Sequence, residues 1–156
     1  MAGVNPLLRL DQQLCFSLYA ASRAMTAAYG PILAPLGLTY PQYLVMLVLW
    51  EVDGISVKEI GDRLQLDSGT LTPLLKKLEA DELVKRTRDE KDARVVRITL
   101  TRSGKSLEKK AQGIPRALAC NFEMDLPAIA KLREELTALT KTLREANAAS
   151  LQKEDE

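Results

Sequence analysis

Apolar residues recur along the chain with two different periods, and the change of period marks out its centre, Ser56 to Thr101. Val57, Ile60 and Leu64 form one stripe of a short helix, with Ser56 placed to cap it and Glu59 three residues on, the pattern of a capping box. After a break at Gln65 and Leu66, Asp67 and Ser68 are both good N-caps for a second helix reaching about Ala80. Leu71, Leu74, Leu75 and Leu78 follow the i, i+3, i+4, i+7 spacing on its inner side. Pro73 leaves a second start open, at Thr72 with proline as the first helical residue; the longer helix is preferred because it uses all four leucines. Leu83–Arg88 and Val95–Leu100 then read as strands, the second with Val96, Ile98 and Leu100 on one face and Arg97 and Thr99 on the other. The loop RDEKDAR between them is too charged to pack. Two short helices, a tight turn and a hairpin predict a winged helix-turn-helix: a mainly α fold with a small β-hairpin wing, built to read DNA.

Longer helical patterns flank this core. Asn5 and Pro6 are a good cap and first residue for a helix running to Tyr29, where Gly30 and Pro31 are expected to stop it. Leu7, Leu10, Leu14, Leu18, Ala21, Met25 and Ala28 make one stripe, and a second runs through Asp11, Cys15, Tyr19 and Ser22 toward Tyr29. Tyr40–Val52, opening after Thr39 with Pro41 in its first turn, is the apolar first helix of the core, with Leu44, Leu47, Val48 and Trp50 expected inside. Residues 102–122 form a linking helix expected to bend near Gly113 and Pro115. From Leu126 to about Ala149, Ile129, Leu132, Leu136, Leu139 and Leu143 have core spacing. Such arms carry more apolar surface than one winged core can cover. The expectation is a single domain, 1–156, whose arms (about 5–36 and 102–149) pair two copies into a homodimer around cores at about 40–101. Two recognition helices roughly 34–36 Å apart would then read a palindromic operator in double-stranded DNA.

Charge sharpens the DNA reading. The net charge is only +1, yet residues 76–110 hold twelve Lys/Arg against seven Asp/Glu, a net +5 that coincides with the wing and its flanks. On the second helix Ser68, Thr70 and Thr72 stand in front of Lys76 and Lys77, so hydroxyls can reach bases and phosphates while the ammonium groups neutralise backbone charge. Arg88, Lys91 and Arg94 on the hairpin tip suit the negative potential of a minor groove.

Composition narrows the alternatives. With 46% hydrophobic and 28% charged residues the chain reads as globular; no apolar run approaches a membrane span of roughly 20 residues, no signal peptide opens it, and a cytoplasmic location without a membrane partner is expected. There is no histidine, which removes the commonest metal ligand and general base and any Ser/His or Cys/His pair. The cysteines at 15 and 120 lack zinc-ligand spacing, so no metal and no cofactor is expected.

A cysteine on an apolar helix is most often packing, but Cys15 has company. Tyr19 lies one turn on and can turn a hydroxyl toward the same face. Tyr29, fourteen residues further, sits about 40° away around the helix and roughly 21 Å along it. If two copies cross in antiparallel fashion, Tyr29 of one approaches Cys15 of the other. Reactivity requires thiolate; Asp11 disfavours it, and in one long helix Cys15 lies too deep to feel the N-terminal dipole. Tyrosine hydroxyls would have to stabilise the sulfur.

Two stretches carry a resemblance. Asp92 and Arg94 match the wing D-x-R of the MarR family of bacterial repressors, and LTRSG, Leu100 to Gly104, matches its LT-x-x-G exit. The resemblance implies that Asp92 braces the wing and that Arg94 enters the minor groove. Gln13–Glu51 and DSGTLTPLLKKLE, Asp67 to Glu79, resemble more narrowly the organic hydroperoxide sensors of that family, the OhrR repressors, with similarity from about Leu7 to about Leu143. It implies a peroxide-sensing Cys15, hydrogen bonds to it from Tyr29 and Tyr40 of the other subunit, and Cys120 as the resolving cysteine of the two-cysteine branch. The expected function is a homodimeric repressor that releases DNA when an organic hydroperoxide oxidises Cys15. The rivals are a MarR-type repressor released by a reversible small-molecule ligand, a thiol peroxidase and a purely structural helical dimer.

Overall fold

The caps written into the sequence set most of the helix boundaries. In the computed structural model, which describes residues 5–119 and 124–154, the helices are α1 Leu14–Leu33, α2 Tyr40–Glu51, α3 Val57–Leu64, α4 Ser68–Ala80, α5 Arg102–Ala111, α6 Ile114–Ala119 and α7 Leu126–Glu154. The strands are β1 Ile55–Ser56, β2 Val84–Arg88 and β3 Val96–Leu100. Before α2, the Gln42 side-chain carbonyl accepts from the Thr39 amide at 2.8 Å. Ser56 and Glu59 form the expected capping box on α3, which ends at Gln65 in the left-handed region, φ +58. Asp67 caps α4 through the Thr70 amide at 2.9 Å, so the longer helix is the one that forms, with Pro73 inside it. Proline there leaves the Gly69 carbonyl without its helical partner, and Gly69 faces solvent.

The N-terminal arm departs from a single helix. Pro6–Leu8 and Leu10–Gln12 are separate 3-10 turns, Arg9 and Gln13 are extended, and α1 starts only at Leu14. Local polar bonds replace the helical ladder: the Gln13 side-chain amide donates to the Leu7 and Arg9 carbonyls at 2.7 and 3.1 Å, and Arg9 pairs with Asp11 at 2.9 Å. At its other end α1 runs straight through Gly30 and Pro31. Complete burial of Leu33 holds this last turn in place. The chain turns instead at Gly37, φ +68, after a 3-10 turn at Ala34–Leu36.

The core of the first of two compact units, Met1–Leu118, is made where α2, α3 and α4 meet the sheet. Leu33, Val45, Met46, Leu49, Ile60, Leu71, Leu75, Leu78 and Ile98 are fully buried. On α2 the inner residues are Tyr43, Val45, Met46, Val48 and Leu49; of the four expected there only Val48 is buried, while Leu44, Leu47 and Trp50 are half-exposed. α2 is apolar on almost every side, so its pattern gave no direction. The sheet is antiparallel in the order β1-β3-β2, with Ile55 opposite Ile98, Val84 opposite Leu100 and Arg88 opposite Val96. β1 went unread because two residues carry no period. The linking helix breaks fully into α5 and α6 at Gln112 and Gly113. The second unit, Ala119–Glu156, contains α7, along which Leu132, Leu136 and Leu143 are exposed.

Strands and helices converge on one crowded point. The Leu83 carbonyl accepts from the Thr101 amide at 3.1 Å; a Cβ on Gly104 would lie 2.1 Å from that oxygen. The Thr101 hydroxyl caps α5 at the Gly104 amide, 3.0 Å, and the Trp50 indole donates to the Gly104 carbonyl at 3.0 Å. Gly104→Ala should therefore destabilise the fold by about 1–3 kcal/mol, the usual cost of overpacking, measured by denaturant unfolding followed on the fluorescence of Trp50, the single tryptophan. Wild-type stability in this variant would show that the backbone yields there.

Candidate nucleic-acid interface and sensor cysteine

The residues expected to meet DNA come from three elements. Ser68, Thr70, Lys76 and Lys77 are exposed along α4, and Thr72 is half-buried. The Thr70 hydroxyl is held by Asp67 at 2.8 Å and the Thr72 hydroxyl bonds back to the Ser68 carbonyl at 2.6 Å, which leaves both hydroxyl oxygens free to accept. Lys77 is drawn to Asp81 at the end of its own helix, 2.6 Å; among the described residues Lys76 has no ion-pair partner. Ser68 and Thr72 share a groove of about 680 Å³ with Asp67, Arg86 and the wing residue Arg94. Arg88 is exposed where the β2–β3 ladder ends.

In the wing, Asp92 grips Arg94 three times: through its amide at 3.0 Å and through the guanidinium at 3.0 and 3.1 Å. That pair holds the Asp92 carboxyl below its usual range, while the Arg94 side chain remains 91% exposed. Asp89 and Arg97, which the sequence reading did not single out, form a second ion pair. Arg97 first, then the amides of Lys91 and Asp92, hold the Asp89 carboxyl low. The available signal was weak: an aspartate at the first loop position and an arginine on the polar face of the following strand.

The residues expected to form the peroxide sensor lie apart. Cys15 is exposed and is the second residue of α1, which corrects the expectation that it lies too deep in a helix. The first turn of a helix has unpaired amides and a partial positive charge that attracts anions. The Tyr19 hydroxyl accepts from Arg23 at 3.1 Å, whose guanidinium stands 5.6 Å from the Tyr19 ring. Tyr29 and Tyr40 are together, ring centroids 4.5 Å apart, and Tyr43, which sequence reasoning missed, stands 5.8 Å from Tyr29. Burial, then the neighbouring Tyr40 and Tyr43, push the Tyr29 phenol up; burial does the same to Tyr40. Both therefore stay protonated hydrogen-bond donors at neutral pH. Along α1 this cluster is roughly 21 Å from Cys15. Cys120 lies outside the described residues.

Comparison with known proteins agrees with this architecture. Residues 27–111 match the family model for the transcriptional regulator SarA/Rot. The chain is 45% identical over 140 residues to the organic hydroperoxide resistance transcriptional regulator of Bacillus subtilis, covering 90% of this chain and 95% of that one. The chain belongs to the MarR family of regulators, OhrR type.

Solved structures extend the likeness. Reduced AbfR bound to DNA, from Staphylococcus epidermidis, superposes with a TM-score of 0.78 at 37% identity, over 88% of this chain and 94% of that one. Disulfide-formed AbfR gives 0.59 at 38% identity, over 88% and 92%. This MarR-family chain is thus a DNA-binding transcriptional regulator and not an enzyme, and its mostly helical fold with a three-stranded antiparallel sheet is the family's winged helix.

The two α4 lysines separate in their charge environment, and so should their effects. Lys76→Ala should lower the slope of log affinity against log salt concentration for duplex DNA by about 0.9, the value of one phosphate contact. Lys77→Ala, which removes a cation already matched by Asp81, should lower it by less than half as much; equal losses would mean that Lys77 leaves Asp81 on binding.

Proposed function

We propose that the chain is a cytoplasmic, homodimeric repressor that holds a palindromic operator when reduced and releases it after organic hydroperoxides oxidise Cys15. Ser68, Thr70, Thr72, Lys76 and Lys77 work in the major groove; Arg94, steadied by Asp92 and accompanied by Arg88, works in the minor groove. The observation that carries the sensing half is a separation. Cys15 opens α1 and Tyr29 lies about 21 Å further along it, beside Tyr40 at the start of α2, so these two phenols reach the sulfur only from a second copy. The uncovered face of α1 supports such pairing: Leu14 is 63% exposed and Met25 40%. Among the described residues no single helix is long and apolar enough to cross a membrane.

The chemistry follows from the groups present. The Cys15 thiolate attacks the terminal peroxide oxygen, the O–O bond breaks, and the alkoxide leaves as an alcohol after taking a proton. The sulfenic acid is then attacked by the thiolate of the partner subunit's Cys120, forming the disulfide as the S–O bond breaks and expelling hydroxide, which takes a proton from solvent to become water. A disulfide needs Cα atoms within about 7 Å, so closing it moves helices and re-spaces the two α4 helices. A loss of about 1.4 kcal/mol for each tenfold in affinity means that a few kcal/mol of mismatch empties the operator.

Operator binding followed by fluorescence anisotropy during titration with cumene hydroperoxide tests the reading. Wild type should release DNA while Cys15→Ser stays bound; release by both would move the function to a reversibly bound inducer. Tyr29→Phe should slow Cys15 oxidation, measured by stopped-flow competition for the peroxide, at unchanged affinity of the reduced protein for DNA. An unchanged rate takes Tyr29 out of the site.

A further inference from the structure

We infer that Asp89 and Arg97 form the brace that sets the wing on the body of the protein, and that minor-groove reading by Arg94 depends on it. A two-stranded ribbon is marginal on its own, and beyond the Arg88–Val96 pair the wing has no ladder partner other than itself. Inside the loop, the Asp89 amide donates to the Val95 carbonyl at 2.8 Å and the Val95 amide to the Asp92 carbonyl at 2.9 Å. The Asp89 carboxylate folds the tip back by accepting from the amides of Lys91 and Asp92, at 2.8 and 3.2 Å.

All these bonds, and the Asp92–Arg94 pair, stay within the loop. Among the described residues, one polar side-chain contact leaves residues 89–94: the second Asp89 oxygen meets the Arg97 guanidinium. Arg97 in turn donates to the Gly54 carbonyl at 3.1 Å, in the turn between α2 and β1, and Glu59 of the α3 capping box adds an attractive charge on the same cation. Arg97 thus spans the wing, the end of α2 and the start of the helix-turn-helix. The Asp89 side chain is only 14% exposed although its residue belongs to a charged loop. Its partner Arg97 is 46% exposed, and ion pairs with one member open to solvent contribute little to stability, so a role in orientation accounts better for the arrangement.

This inference rests on the proposed minor-groove role of Arg94, and charge gives it a test of opposite signs. Asp89→Asn keeps an oxygen for the two loop amides but gives up the ion pair. If Asp89 acts only through its charge, removing an anion beside DNA tightens binding; if it is a positioning residue, binding weakens. The full-length protein is measured by anisotropy on a duplex selected by the wild-type chain from a random-sequence library, with thermal unfolding recorded for each variant. Asp89→Asn and Arg97→Gln should each weaken binding by about tenfold, the scale of one base-reading contact, and should cause less than about a twofold further loss when added to Arg94→Ala. Equal or tighter binding by Asp89→Asn overturns the brace, as does an undiminished effect in the Arg94→Ala background. Unchanged binding by Arg94→Ala alone overturns the wing reading and this inference with it.

Discussion

The Leu83 carbonyl is the point from which both halves of the DNA-binding core are measured. It follows α4 at once, since the Leu83 amide closes onto the Leu78 carbonyl at 2.9 Å. It receives the Thr101 amide as β3 ends, and it stands where a side chain on residue 104 would have to be. The recognition helix, the hairpin and the exit helix α5 are therefore fixed against one oxygen. Close approach of this kind is possible only because glycine lacks a Cβ. Trp50 reaches the same place from α2, which ties the first helix of the core to the last. Asp53 adds to the lock: burial works against its charge, but the Leu100 amide and Lys105 outweigh it and keep the carboxyl low.

From that anchor outward, order depends on progressively weaker bonds. α4 is held by three fully buried leucines, Leu71, Leu75 and Leu78, and its Thr70 and Thr72 hydroxyls are aimed by their own helix and cap. The wing has no such core. Its shape depends on carboxylates accepting from backbone amides and guanidinium groups, bonds that a nearby phosphate backbone competes for directly. Affinity and salt dependence in such an interface come from cations, and specificity from how well they are held. Arg94 combines the two demands, with a charge open to solvent and a side chain gripped by Asp92.

The sensing half is organised by what a single chain leaves undone. α1 buries one residue completely, Leu33 at its end, packs Tyr29 and Ile32 partly against the core, and leaves Leu14, Phe16, Tyr19 and Met25 exposed. Cys15 sits at the positive end of this helix and the tyrosine donors gather at the other, around Tyr40 at the start of α2. In the proposed function a site divided in this way is completed by a second chain, which would couple sulfur chemistry to the geometry that spaces the two recognition helices.

Local chemistry made much of this legible in the sequence. The capping residues Ser56, Glu59 and Asp67, the four leucines of α4 and the alternation around Ile98 each act within a few residues of themselves, so reading them needs no fold. Asp92 and Arg94 were legible through the resemblance of their D-x-R to a known wing motif, and they lie close enough in sequence to bond directly. Other features were settled only by tertiary structure. Pro31 stays inside α1 because burial of Leu33 outweighs a lost hydrogen bond, and the helix starts at Leu14 because Gln13 finds backbone partners upstream. α2, apolar all round, acquired an inner face only when α3, α4 and the sheet closed on it. Arg97 and Gly54 are brought together across 43 positions of sequence, a distance over which no periodicity reports. The sequence by itself determined which segments fold and which chemistry they carry; the tertiary structure decided which faces are covered, which charges meet, and how far Cys15 stands from its donors, because those depend on contacts between residues that no local pattern links.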